Sequence, residues 1–180
     1  MSKKDKEKDK GPAKTNAARL LEQAHIPFQL VSYPVDEDHL EATHVAESLG
    51  EDIRQVFKTI VMHGDRVGHF VCVVPGNAEI DLKKAARVAG DKKVDLIAVR
   101  DLLPLTGYIR GGCSPVGMKK TFPTYIHTTA TQFPFIFVSA GVRGLQLRIS
   151  PADLIAYTRA TVAPLVAGDD TVENGKEERQ

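Results

Sequence analysis

Residues 56–61 read Val-Phe-Lys-Thr-Ile-Val, an apolar, strand-like run with a single lysine, Lys58, inside it. Side chains alternate along a strand, so Lys58 shares its face with Val56 and Ile60. A lone lysine on such a face is either an edge residue whose ammonium reaches water or a cation kept there for function. A second apolar run at 68–74 follows, and the two runs together predict a β-hairpin.

The apolar spacing on both sides of this hairpin predicts an alternation of helices and strands. Helices are predicted at 14–25, 43–49 and 81–89, near 101–105, and from the Ser150-Pro151 start to about 163. Further strands are predicted at 28–33, 108–110, 124–127, 135–139 and 145–149. Strands that arrive in hairpins, with helices between them, favour an α+β fold. We expect a single domain with a mixed, largely antiparallel, curled and barrel-like sheet surrounded by helices.

Length and charge divide the chain into a body and two tails. The 180 residues, 42% of them hydrophobic, suffice for one buried core. Residues 1–14 carry six lysines against three acidic residues, and residues 165–180 carry five acidic against two basic residues. We therefore predict a disordered lysine-rich tail at 1–12, a domain at 13–166 and a disordered acidic tail at 167–180.

Several classes of protein and site are disfavoured by the sequence. No stretch is apolar and long enough to span a bilayer, and the N-terminus is charged where a signal peptide needs an apolar core, so a cytoplasmic protein is expected. Cys72 and Cys113 support neither a disulfide framework nor a zinc site. The motifs of serine hydrolases, zinc proteases, P-loops and dinucleotide sites are missing. Neither a metal nor a cofactor is predicted.

Two glycine-rich segments offer backbone amides that no side chain covers. The loop at 111–117 reads Gly-Gly-Cys-Ser-Pro-Val-Gly, and the turn at 138–144 reads Val-Ser-Ala-Gly-Val-Arg-Gly. Glycine lets the backbone approach a ligand closely, Pro115 stiffens the loop, and exposed amides suit a phosphate or a carbonyl oxygen. Such a loop is also typical of a simple turn.

In this order and spacing, these segments resemble the YbaK family of editing domains, the free-standing relatives of the insertion domain of prolyl-tRNA synthetase. Among them the chain is most similar to the Cys-tRNA(Pro) deacylases. The resemblance is carried by 14–18, 56–59, 107–115 and 138–141. It implies the editing-domain fold and hydrolysis of tRNA that carries the wrong amino acid. Discrimination between small side chains by size is worth only about 1–3 kcal/mol, so a hydrolytic second step is the usual remedy.

The resemblance also implies the site residues and the partners. Lys58 matches the family's functional lysine and is the expected catalytic residue. The expected substrate-binding residues are Gly111, Gly112, Cys113, Ser114, Pro115, Ser139 and Gly141. In cysteine-specific members the substrate's own thiol is thought to attack the ester, so Cys113 is interpreted as a lining residue. The implied partners are mischarged tRNA(Pro) and, transiently, prolyl-tRNA synthetase; DNA and membranes are not implied.

Two other functions remain open at this point. One is the removal of alanine from Ala-tRNA(Pro). The other is a non-catalytic module or regulator on the same fold that binds RNA ends or a small anion. Between the tails the charges nearly balance, which disfavours tight autonomous binding of tRNA because each phosphate contact calls for a lysine or arginine. A deacylation assay separates these alternatives, since a binding module leaves the ester intact.

Overall fold

The computed structural model describes residues 14–168, which form an α+β fold with two sheets. The α-helices are α1 (Asn16–Gln23), α2 (Ala42–Leu49), α3 (Leu82–Ala89), α4 (Val99–Thr106) and α5 (Pro151–Thr158). The strands are β1 (Gln29–Ser32), β2 (Phe57–Gly64), β3 (Gly68–Pro75), β4 (Val94–Leu96), β5 (Thr124–His127), β6 (Ile136–Ser139), β7 (Leu145–Ile149) and β8 (Thr161–Ala163). The sheet orders are β1-β7-β6 and β4-β2-β3-β5-β8.

The β2–β3 hairpin is the centre of the larger sheet and is buried on both faces. Phe57 and Val61 of β2 belong to the main core, which lies between the two sheets. Ile60 and Met62, on the opposite face of β2, pack in a second core beneath α3. Because both faces are covered, the apolar residues of β2 form a nearly continuous run, and Lys58 interrupts it.

The two sheets meet where β2 begins. Val56 forms a parallel bridge to Phe137 of β6, so the start of β2 lies beside the smaller sheet. Val56 and Phe137 are both buried and pack with Val45 and Ala46 of α2 in a third cluster. This junction fixes the position of Lys58, two residues beyond Val56, relative to the end of β6.

Capping residues explain where several helices begin and end. The Asp81 side chain accepts hydrogen bonds from the backbone N–H groups of Lys83 and Lys84 at 3.0 and 3.1 Å, and so begins α3. Gly90, with φ +80°, ends it in the left-handed conformation that glycine adopts readily. Both roles agree with the prediction for this helix.

The α+β class and the largely antiparallel pairing are confirmed, and several details differ from the prediction. The strands form two sheets that are not closed into a barrel. The strand predicted at 108–110 is wrong, since these residues form a loop. The last helix ends at Thr158 because Arg159 adopts φ +56°, and β8 follows where the helix was expected to continue. Ser150 occupies the N-cap position of α5, but its side chain makes no capping hydrogen bond.

The predicted tails fall mostly outside the described residues. The lysine-rich tail at 1–12 does so entirely, as does the acidic tail from 169 onwards. Ala167 and Gly168 are described, and the Ala167 N–H donates a 2.9 Å hydrogen bond to the Glu79 carbonyl. Within residues 14–168, no helix has the length and apolar character needed to cross a membrane.

Candidate functional site

A cavity of about 450 Å³ opens at the junction of the two sheets. Its walls come from five parts of the chain: the segment that leads into α2, the start of β2, the loop after β3, the glycine-rich loop, and the β6–β7 pair. The lining residues are Leu40, Glu41, Ala42, Thr43, Val45, Val56, Phe57, Lys58, Thr59, Gly76, Asn77, Ala78, Glu79, Arg110, Gly111, Cys113, Ser139 and Gln146. A volume of this size is typical of a site for a small molecule or for one end of a larger one.

Lys58 lines this cavity as a partly buried cation. Its ammonium makes no hydrogen bond and no ion pair within 4.0 Å to any residue from 14 to 168. Burial lowers the pKa of Lys58 because it penalises the charged form, and attraction to Glu79, also on the cavity wall, partly opposes this shift. The interpretation as a solvated edge lysine does not fit these surroundings. An ammonium with free donors and a partly removed hydration shell is suited to bind an anion or to stabilise a developing oxyanion.

The glycine-rich loop is held in shape by its own hydrogen bonds. The Gly112 N–H donates to the Ile109 carbonyl at 2.9 Å, and the Val116 N–H donates to Ser114 Oγ at 3.2 Å. The Tyr108 hydroxyl donates to the Val116 carbonyl. The N–H groups of Gly112 and Val116, which the sequence predicted to be free, are therefore already hydrogen-bonded. These bonds also fix the conformation of the rest of the loop backbone.

Within residues 14–168, two backbone N–H groups of this loop donate no hydrogen bond. Gly111 and Cys113 both line the cavity, and within the described part of the chain their N–H groups have no hydrogen-bond acceptor. Gly111 adopts φ +83°, a conformation that any residue with a Cβ enters only with strain. The loop therefore has two cavity-lining residues whose backbone N–H groups make no hydrogen bond within residues 14–168.

Ser139 and Gln146 form the part of the wall that the β6–β7 pair contributes. They face each other across the antiparallel β6–β7 pair, and both are buried, at 9% and 4% exposure. Ser139 Oγ accepts a 3.1 Å hydrogen bond from the Gly141 N–H, which fixes its rotamer. Gly141 itself packs against Tyr108, since a Cβ at this position would lie 2.9 Å from Tyr108 Cε1.

The structure divides the residues expected at the site into two groups. Lys58, Gly111, Cys113 and Ser139 line the cavity. The other four lie behind this surface: Gly112, Ser114, Pro115 and Gly141. Gly112 is held close to the backbone of Val142, and an added Cβ would lie 3.2 Å from it. This second group shapes and supports the loop and the turn.

Sequence reasoning missed several polar lining residues. Glu41 lies directly before α2, and Asn77 and Glu79 lie in the loop after β3; none of the three belongs to a recognisable motif. Gln146 had a usable signal, because it is a polar residue on a strand whose neighbours are Leu145 and Leu147. Its position at the cavity depends on a cross-strand register that one sequence does not reveal.

Among the lining residues that the structure describes, none is an activated nucleophile. Burial raises the pKa of the Cys113 thiol to about 12, so the thiolate is scarce near neutral pH. No histidine is among the lining residues to act as its base. Ser139 is engaged with the Gly141 amide and likewise has no base beside it. The arrangement can bind, orient and stabilise charge, and it leaves nucleophilic attack to the substrate or to water.

Sequence and structure comparisons show which known proteins this chain is similar to. The aminoacyl-tRNA editing domain family matches residues 36–157. An Enterococcus faecalis protein, provisionally named as the Cys-tRNA(Pro)/Cys-tRNA(Cys) deacylase EbsC, is 48% identical over 158 residues, which are 88% of this chain and 96% of that protein. A proline–tRNA ligase of Fervidobacterium nodosum is 33% identical over 78 residues, covering 43% of this chain and 13% of the ligase. A crystal structure provisionally described as a trans-editing enzyme for prolyl-tRNA synthetase superimposes with a TM-score of 0.74 at 28% identity, over 87% of this chain and all of that one.

Proposed function

Since the chain belongs to the aminoacyl-tRNA editing domain family, we propose that it hydrolyses the ester of mischarged Cys-tRNA(Pro) and releases cysteine and free tRNA(Pro). As a member of this family it is a hydrolytic editing enzyme, an aminoacyl-tRNA deacylase that acts on mischarged tRNA. The proposal concerns the amino acid it removes, the tRNA it acts on and the way the ester is cleaved. The name of the EbsC relative supports cysteine as that amino acid.

One observation carries the mechanism: within residues 14–168, the cavity has a cation without a hydrogen-bond or ion-pair partner and two free backbone amides, but no activated nucleophile. We infer that the thiol of the bound cysteine attacks its own ester carbonyl. The sulfur–carbon bond forms, the bond to the ribose oxygen breaks, and the thiol proton passes through solvent to that oxygen. The resulting thiolactone is opened by water to give cysteine. The reaction is intramolecular, so the enzyme's contribution is orientation and charge stabilisation.

In this scheme Lys58 and the loop amides have separate tasks. The carbonyl oxygen becomes negatively charged as the thiol attacks, and the N–H groups of Gly111 and Cys113 are the available backbone donors on the cavity wall. The Lys58 ammonium supplies positive charge to the same region or to the terminal phosphate of the tRNA. The part of the wall formed by Ser139 and Gln146 limits the space for the side chain.

Deacylation of three charged forms of tRNA(Pro) tests the proposal. The full chain is incubated with Cys-tRNA(Pro), Ala-tRNA(Pro) and Pro-tRNA(Pro), and the loss of each ester is followed by acid gel. We expect rapid loss of cysteine, slower loss of alanine and retention of proline. Preferential removal of alanine would assign the chain to Ala-tRNA(Pro) editing. Intact esters in all three cases would favour a binding module.

We also propose that the enzyme meets its substrate in a transient complex with prolyl-tRNA synthetase. The similarity to part of a proline–tRNA ligase supports a common substrate for the two proteins. The balanced charge of the body supports it as well, because its lysines and arginines are offset by nearly as many acidic residues, which weakens unaided binding of tRNA phosphates.

A further inference from the structure

Two arginines flank the glycine-rich loop at the rim of the cavity. Arg110, directly before Gly111, is exposed and lines the cavity. Arg143, in the turn between β6 and β7, is half-buried, and its Nε atom donates a 2.9 Å hydrogen bond to the Arg110 carbonyl. The same Nε atom lies 3.4 Å from the position that a Cβ atom of Gly111 would occupy. The Arg143 side chain is therefore held against the loop beside Gly111.

This contact leaves most of the Arg143 guanidinium group available to a ligand. A guanidinium group carries five N–H donors, and the bond from Nε uses one of them. Within residues 14–168, neither arginine has a carboxylate within 4.0 Å, although Glu41 and Glu79 line the same cavity. Two neighbouring arginines without an acidic partner favour the binding of an anion.

The anion of the proposed substrate that lies nearest to the ester is a phosphate. The amino acid of an aminoacyl-tRNA is esterified and has no free carboxylate, whereas a phosphodiester lies on the 5′ side of the terminal adenosine. In the proposed reaction the free N–H group of Gly111 is a donor to the ester carbonyl, and Arg143 Nε lies beside the same glycine. The two kinds of donor are thus neighbours, as the ester and the phosphate of one nucleotide are.

Building on the proposed function, we propose that Arg143 and Arg110 bind the phosphodiester on the 5′ side of the terminal adenosine of the aminoacyl-tRNA. A planar guanidinium group can donate two parallel hydrogen bonds to phosphate oxygens, which an ammonium group cannot. The hydrogen bond to the loop fixes the guanidinium plane of Arg143 before the substrate arrives. Binding of the phosphate places the ribose, and with it the ester, at the glycine-rich loop, and it leaves Lys58 for the ester carbonyl.

The first test compares two stable ligands that differ only in the phosphate. Both are 3′-amino-3′-deoxyadenosine acylated with cysteine on the 3′ nitrogen, and one also carries a methyl phosphate diester on its 5′ oxygen. Binding to the full chain is measured by calorimetry. We expect the wild type to prefer the phosphate ligand by about ten- to a hundredfold, as for hydrogen bonds to a charged group. In Arg143→Met and in Arg110→Met this preference should largely disappear, and the affinity for the other ligand should be unchanged.

A matched control and a kinetic measurement separate phosphate binding from support of the loop. Arg100 is an exposed arginine of α4 that does not line the cavity, so Arg100→Met should keep the preference of the wild type. In the deacylation of Cys-tRNA(Pro), Arg143→Met and Arg110→Met should each raise KM. The slope of log kcat/KM against log salt should become shallower by about 0.7 for each lost contact to single-stranded RNA. A variant that only disturbs the loop keeps the slope of the wild type.

The proposal is overturned if the wild type binds the two ligands equally. It is also overturned if either folded variant keeps the wild-type preference, or weakens both ligands equally with an unchanged salt slope. Far-ultraviolet circular dichroism verifies folding, and if Arg143→Met does not fold, Arg110→Met decides the question because it retains the carbonyl that Arg143 binds. Failure of the wild type to hydrolyse Cys-tRNA(Pro) would instead contradict the proposed function, and it is recognised before any variant is made.

Discussion

Lys58 combines two properties that are rarely found together in a strand: it shares a face with core residues, and its ammonium has no partner among the described side chains. Burial lowers its pKa, which means that the charged form is disfavoured in the folded protein relative to water. The unfolded chain therefore holds this proton more tightly than the native state does. Below the native pKa, the charge of Lys58 lowers the free energy of unfolding. This loss is relieved as the pH rises above the native pKa, and it is gone once the pH exceeds the higher pKa of the unfolded chain. A destabilising charge retained at a cavity indicates a role in function.

Lys58→Met should separate activity from stability. The substitution removes the charge and keeps an apolar stem, so we expect the deacylation rate to fall by about 10²- to 10³-fold, as when an oxyanion donor is lost. The melting temperature at neutral pH should be unchanged or slightly higher, since the buried charge no longer opposes folding. Lys83→Met, at an exposed position of α3, is the matched control and should leave both quantities unchanged. Early melting of Lys58→Met with normal specific activity would show that Lys58 is structural.

The two thiols near the reaction should contribute very differently. The pKa of Cys113 is raised to about 12 by burial, so Cys113→Ser should retain most of the activity. Replacing the substrate thiol, by contrast, should slow the reaction strongly. Ser-tRNA(Pro) differs from Cys-tRNA(Pro) by one atom, and its hydroxyl is a far poorer nucleophile near neutral pH. Single-turnover rates for the two substrates measure this difference. Equal rates would point to an activated water, with Glu41 or Glu79 as the candidate base, and a folded but inactive Cys113→Ser would point to an enzyme nucleophile.

Among the elements, the glycine-rich loop depends most on its backbone conformation. Gly111 has φ +83°, where an L-residue is strained by about 1–2 kcal/mol, although its added Cβ would find only ordinary contacts of 3.4 Å or more. Relief of this strain would move the amides of the loop away from the cavity. The consequence belongs to the whole loop, since the Tyr108 hydroxyl before the loop donates a hydrogen bond to the Val116 carbonyl near its end.

Gly111→Ala should therefore lower kcat much more than a comparable substitution elsewhere. Gly90 is a suitable control, because it has φ +80° and open space around its Cα atom at the end of α3, and it does not line the cavity. Both variants should lose a similar amount of stability, whereas only Gly111→Ala should lose about tenfold or more in turnover. Thermal melting and steady-state kinetics on the two proteins provide the comparison. Equal kinetics would mean that the loop is only a turn.

The elements that could be predicted from the sequence are those with a strong local signal. The β2–β3 hairpin has two apolar runs around a polar turn, and α3 has both an Asp81 cap and a terminal glycine. The short strand β8 was missed because apolar spacing continues past Thr158, and the left-handed conformation of Arg159 leaves no trace in the pattern. Gln146 was missed for a different reason. It lines the same cavity as Lys58 only because the two sheets meet at the Val56–Phe137 bridge, a contact between distant parts of the chain.

The whole molecule combines a specific small cavity with a surface that carries little net charge. The formal net charge of the chain is +1, and the two ends carry opposite charges. Binding of tRNA depends on the number of phosphates that lysine and arginine neutralise, with a logarithmic salt slope of about −0.7 to −0.9 per contact. A protein with few such contacts binds tRNA weakly. Its cavity alone cannot distinguish one tRNA from another, because the 3′ end that carries the amino acid is common to all tRNAs.

The choice of tRNA should accordingly come from prolyl-tRNA synthetase. We expect the full chain alone to deacylate Cys-tRNA(Pro) and Cys-tRNA(Cys) at similar rates, with kcat/KM falling roughly tenfold or less between 50 and 200 mM salt, as for about two phosphate contacts. Addition of the synthetase should lower KM for Cys-tRNA(Pro) selectively, since a tethered substrate meets the cavity at a high effective concentration. A synthetase that does not bind tRNA serves as the control. Strong discrimination between the two tRNAs without any synthetase, or a salt dependence many times steeper, would place tRNA recognition in this chain itself and remove the need for the complex.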